Sequence, residues 1–96
     1  MNLSEADALA AVAAVARPHD PGALVFVGAR EYPQAQQRSV VTIVVQTYVN
    51  NHAMVRELTM WCTENDGYWL TKSQVVQMGE VPVDLIEIET VVYYKE

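Results

Sequence analysis

The run Ser39 to Val49, SVVTIVVQTYV, is eleven residues made mostly of Val, Ile, Thr and Tyr, with no glycine or proline. Side chains branched at Cβ suit a pleated strand and crowd a helix, so this run predicts a long β-strand. A period of two divides it: Val41, Ile43, Val45, Thr47 and Val49 fall on one side, and Val40, Thr42, Val44, Gln46 and Tyr48 on the other. The first side is assigned to the core. The second is amphipathic, and its apolar members ask for cover from elsewhere. A strand with one apolar face must pack against a second layer, and a chain of 96 residues has room for one such core.

Ser4 precedes an alanine-rich run with Glu5 and Asp7 in its first turn, which predicts a helix over Glu5 to Ala16 that Pro18, Pro21 and Gly22 stop. Ala23 to Val27, apolar throughout and bounded by glycines, reads as a short central strand buried on both faces. Glu31 to Arg38, EYPQAQQR, is longer than a tight hairpin needs and reads as a projecting loop. Asn50 or Asn51 caps a second helix, whose Met54, Leu58 and Trp61 recur at helical spacing with Val55 and Cys62 beside them, and Asn65, Asp66 and Gly67 end it. Tyr68 to Leu70 and Val75 to Met78 read as two short extended pieces, and no clear extra hairpin is seen. Leu85 to Tyr94 is the final strand, with Ile86, Ile88, Thr90, Val92 and Tyr94 on one face and Leu85, Glu87, Glu89, Val91 and Tyr93 on the other. The expectation is an α+β fold of order αββαββ, with an antiparallel or mixed sheet of about four strands and both helices on one face. Val41, Ile43, Val45, Leu58, Trp61, Ile86 and Ile88 are expected to share the core.

Six basic residues against twelve acidic give a net charge of −6, the wrong sign for a protein that neutralises phosphates, so specific nucleic-acid binding and attachment to anionic membranes are not expected. No apolar run reaches the ~20 residues that span a bilayer. The start MNLSEADALA lacks a basic flank followed by an apolar stretch, and the single cysteine, Cys62, has no partner within the chain, which together predict synthesis in a reducing cytoplasm.

Close ligand pairs of the C-x-x-C or H-x-x-x-H kind do not occur, so His19, His52 and Cys62 would have to form any metal site by tertiary contact. Cys62 falls on the apolar side of the second helix and reads as a core thiol rather than a nucleophile. Glu87 and Glu89 stand two apart on one strand face, and the simpler reading is a solvated face rather than an acid and base pair. The four glycines are isolated, so no phosphate-cradling loop exists. Trp61, Tyr68 and Trp69 read as core and rim aromatics, with Trp69 a possible anchor for a partner. The chain is read as a non-enzyme needing no cofactor or metal.

The stretch PGALVFVGAREYPQAQQRSVVTIVVQTYVNN resembles the middle of small tail-terminator proteins of tailed bacteriophages, particularly the Mu-like contractile-tail group. Pro21, Gly22, Ala23, Val25, Gln37, Val44 and Val45 carry the match, and DLIEIETVVYYKE resembles that family's aromatic-ended last strand. The resemblance implies a structural protein of the virion tail or neck, made in the bacterial host cytoplasm. Copies of the chain, commonly six, would form a ring on the last tail-tube ring, stop tube growth and face the head connector. An acidic surface suits a channel through which DNA passes without sticking. The alternative is a small acidic binding module, an inhibitor or immunity-type protein that masks a basic partner surface. The residues expected to make contacts are Arg30, Tyr32, Gln34, Gln36 and Gln37 in and beside the loop, and Tyr48 and Tyr93 near an exposed strand edge. Tyr and Arg are enriched at interfaces, and glutamine both donates and accepts hydrogen bonds.

Overall fold

The computed structural model describes residues 3–35, 37–49 and 51–95. Its elements in chain order are β1 (Leu3–Ser4), α1 (Glu5–Ala16), β2 (Leu24–Glu31), β3 (Val40–Thr47), α2 (His52–Glu64), β4 (Tyr68–Met78) and β5 (Val81–Lys95).

Both helices start where their caps predict. The Ser4 hydroxyl accepts the Asp7 N–H at 3.1 Å, and Asn51 Oδ1 accepts the Ala53 and Met54 N–H groups at 3.0 and 3.1 Å. Asn50, the other candidate cap, lies outside the described residues. Each helix buries a stripe of three residues four apart: Ala8, Val12 and Ala16 on α1, and Met54, Leu58 and Cys62 on α2. The small alanines let α1 lie close to the sheet. After α2, Asp66 turns the chain at φ 57°, and the Gly67 N–H donates to the Cys62 carbonyl at 2.7 Å. A Cβ at position 67 would sit 2.5 Å from both the Val91 carbonyl oxygen and Val92 Cγ1, so only glycine lets this corner approach β5 so closely.

The four long strands form an antiparallel sheet in the order β2-β3-β5-β4, and β1 adds a short parallel pairing, Leu3 with Tyr94, at the end of β5. The fold is α+β as expected, with five strands rather than four. The helices share one face, α1 over β2 and β3 and α2 over β4 and β5. Between the layers lies one core in which Val41, Ile43, Val45, Leu58 and Ile88 are at most 1% exposed, with Trp61 and Ile86 packed at its margin. Thr47, 2% exposed, donates to Asp20 Oδ2 at 2.6 Å and accepts the Val49 N–H at 3.0 Å, which ties the turn after α1 to the end of β3. Among the described residues no helix is long and apolar enough to cross a membrane.

Two expectations about strands are corrected. The Ala23 to Val27 run is neither short nor central: β2 is an edge strand reaching Glu31, and its Leu24 and Phe26 are 61% and 40% exposed. A bulge at Gly28 realigns the pairing from Val27–Ile43 to Ala29–Thr42 and lets the ladder continue. Tyr68 to Leu70 and Val75 to Met78 are the two ends of one strand, β4, which forms with β5 the hairpin that the sequence reading lacked. Gly79, at φ 67°, opens a two-residue turn between Met78 and Val81. The polar middle of β4 has little core to face; its pairing with β5 holds it extended.

Candidate interaction surface

The register sorts the exposed apolar residues onto the face that the helices leave open. Directly opposed residues of antiparallel strands share a face. Leu24 and Phe26 of β2 therefore lie beside Gln46 and Val44 of β3, then Glu87 and Glu89 of β5, then Lys72 and Leu70 of β4. Tyr68 continues this face at 59% exposure and Leu70 at 49%. Val40 and Val44, buried at 8% and 7%, form part of its floor although no helix covers them. A concavity of about 240 Å³ opens at one end, bordered by Glu31, Pro33, Tyr68, Leu70, Glu89 and Tyr93.

Lys72, Glu87 and Glu89, in the middle of this face, are held by cross-strand pairs. Lys72 Nζ lies 2.9 Å from Glu89 Oε1, and this carboxylate raises the lysine above its usual value. Gln46 Nε2 donates to Glu87 Oε1 at 3.2 Å. Glu87 and Glu89 thus have separate polar partners, an arrangement that stabilises a solvated strand face.

Of the residues singled out for contacts, Tyr32, Gln34 and Gln37 lie in the connection between β2 and β3 and are exposed, Tyr32 at 54%. Gln37 adopts φ 52° and donates its N–H to the Pro33 carbonyl at 3.0 Å, which closes the loop on itself. Pairing of Val40 with Tyr93 brings Tyr93 to the foot of this loop, where the Arg38 guanidinium lies 3.7 Å from its ring centroid. Gln36 lies outside the described residues. Arg30 sits beside the loop but turns to the helix side, where Nε and Nη2 donate to the two carboxylate oxygens of Glu5 at 2.6 and 2.7 Å. That fork holds the Glu5 carboxyl below its ordinary value. Tyr48 follows β3 at the opposite end of the sheet and is not brought to the others. Neither Tyr48 nor Tyr93 lies on a sheet edge, because β3 and β5 are the two inner strands.

The larger feature went unread in the sequence. Pairs from Gln74–Leu85 to Met78–Val81 extend beyond Thr47–Ile86, the last pair between β3 and β5. These five pairs make an arm about 17 Å long at ~3.3 Å per residue, on a molecule measuring 47 × 25 × 18 Å. Val76, Met78, Val81, Val83 and Leu85 share one face of the arm, with Met78 and Val81 55% and 60% exposed. The signal was present as Met78-Gly79-Glu80-Val81, a glycine-first turn between strand-forming residues.

Cys62 is buried, and its burial pushes the thiol up to about 11, so it is protonated and unreactive at neutral pH. His19 Nε2 lies 2.9 Å from Glu57 Oε2 and joins the turn after α1 to α2. His52 opens α2 and is exposed. Among the described residues no three His, Cys, Asp or Glu side chains converge as a metal site would require. Trp61 and Trp69 are half-buried on the helix side, where Trp69 pairs with Thr90, whereas Tyr68 stands out on the open face.

No protein-family model matches the chain, no curated protein matches its sequence, and no solved structure matches its fold.

Proposed function

We infer that the chain is a structural assembly protein of a phage tail or tail-like particle, a tail terminator or neck component whose copies form a ring on the tail tube. The observation that carries this reading is the arm. Of its residues only Leu85, where it joins the body, is buried, and it exposes Met78 and Val81 on a face shared with Val76 and Val83. Apolar surface held away from the body on a paired backbone is what a contact between subunits uses. The loop at the opposite end of the sheet gives the molecule a second, chemically different surface, as a head-to-tail ring requires. The resemblance of the sequence to tail terminators supplies the setting: tube on one side, head connector on the other.

The acid-bordered concavity lends some support to the alternative, a module that masks a basic partner. Among the described residues most of the other acids lie on α1, α2, the loops and the arm rather than there. Light scattering on the purified protein, alone and with polymerised tube protein of the same particle, separates the two. A terminator adds a fixed mass per tube end whatever the tube length. Binding in proportion to tube length, or no binding, rejects the reading.

A further inference from the structure

We propose that the outer edge of β4 is a self-complementary interface, by which two free copies of this chain pair antiparallel about a two-fold axis at Ser73 and join their sheets into one.

The sheet has two outer edges, and they differ. On β2 the bulge at Gly28 interrupts the ladder, a device that discourages strand addition. On β4 eleven consecutive residues keep one register with β5, with neither bulge nor proline, and most of them are exposed. The outer side of such a strand presents roughly ten main-chain donors and acceptors to whatever lies beside it.

The side chains select the occupant. Ser73 is the middle residue of β4. With the axis there, Tyr68 of one copy lies opposite Met78 of the other, Leu70 opposite Val76, Thr71 opposite Val75, and Lys72 opposite Gln74. An aromatic meets a thioether and aliphatic side chains meet β-branched ones, while no charge opposes its like. Tyr68, Leu70, Val75 and Met78, exposed at 59, 49, 65 and 55%, are all used. An axis one residue earlier sets Lys72 against itself. Shifts that pair odd with even positions turn the apolar side chains to opposite faces. The Ser73 axis keeps both helix faces on the same side and lays each arm along the body of the other copy.

This contact closes at two copies and does not depend on the tail reading. It shelters the arms, so a pair of this kind and a ring built through the arm compete for the same residues.

The test is disulfide trapping with sedimentation equilibrium, on the 96-residue chain carrying Cys62→Ala. Ser73→Cys places two thiols opposite each other across the axis, within reach of a disulfide, and mild oxidation should give a covalent dimer. Thr71→Cys or Gln74→Cys alone should not. Sedimentation should show a reversible dimer between micromolar and millimolar concentrations. Leu70→Lys or Val76→Glu alone should weaken it about tenfold, because each alters two symmetric cross-strand pairs. The double variant should recover most of that loss. Leu70 and Val76 are six residues apart on one strand, so only opposition between copies explains recovery. Far-UV circular dichroism on each variant establishes that it is folded. A monomer at every concentration, trapping through Gln74→Cys in place of Ser73→Cys, or absence of recovery in a folded double variant overturns the proposal.

Discussion

Replacing Ile43 by alanine tests the register on which every surface assignment rests. Ile43 lies on inner strand β3, opposite Val27 on one side and Thr90 on the other, and is fully buried. Its carbonyl accepts the Thr90 hydroxyl at 3.1 Å, a backbone contact that the substitution leaves in place. The loss is therefore one of packing. Three carbons are removed, about 2.4 kcal/mol at ~0.8 kcal/mol per methylene. The cavity left behind adds up to about 2 kcal/mol at ~24 cal/mol per Å³. Strands on both sides and helices above limit collapse, so the expected loss is about 3 to 4 kcal/mol, a large part of the ~5 to 15 kcal/mol that holds a domain together. Urea unfolding followed by circular dichroism should show a lower midpoint with unchanged slope, and the melting temperature should fall by roughly 12 to 30 °C. Thr42→Ala, one residue along on the open face, should cost less than about 1 kcal/mol. If Ile43→Ala costs under about 1 kcal/mol, or Thr42→Ala costs more than it, the faces of β3 are reversed and the assigned surface is wrong.

Gly67→Ala should destabilise the fold by about 1 to 3 kcal/mol in the same urea assay, because its Cβ meets a carbonyl oxygen and a valine methyl at 2.5 Å. Thr47→Val should cost about 1 to 3 kcal/mol by removing the hydroxyl between Asp20 and the Val49 N–H, and an unchanged midpoint would show that water replaces it. The stabilisation from the Glu5–Arg30 fork is present above the ordinary glutamate value of 4.5 and is lost as pH falls through the lowered folded value; Glu5→Gln should remove that part of the acid dependence of the melting temperature, and added salt should weaken it. For Cys62 the sign is opposite: the unfolded thiol ionises from about 9 while the folded one holds its proton to about 11, so stability should decline over that interval and Cys62→Ala should flatten the decline.

Elements that bury a patterned face were legible from sequence, and those that do not were obscured. Ser4 and Asn51 marked both helix starts because capping is chemistry local to a few residues. The core face of β3 followed from alternation alone. Thr71, Lys72, Ser73 and Gln74 form no core, so their strand state rests on pairing with β5, which no local window contains. The rank of β2 in the sheet was misread for a related reason. Its apolar open-face residues, Leu24 and Phe26, suggested burial on both sides, whereas they belong to the exposed surface. Of the contact residues, the loop was found from its glutamines and length, but the partnership of Arg30 with Glu5 and of Arg38 with Tyr93 depends on tertiary approach.

The reading as a terminator is tested most directly by electron microscopy of tail tubes assembled with and without this chain. Tubes formed in its presence should share one length and carry a ring at one end, and tubes formed without it should grow past that length. Equal length distributions in the two preparations would contradict the reading.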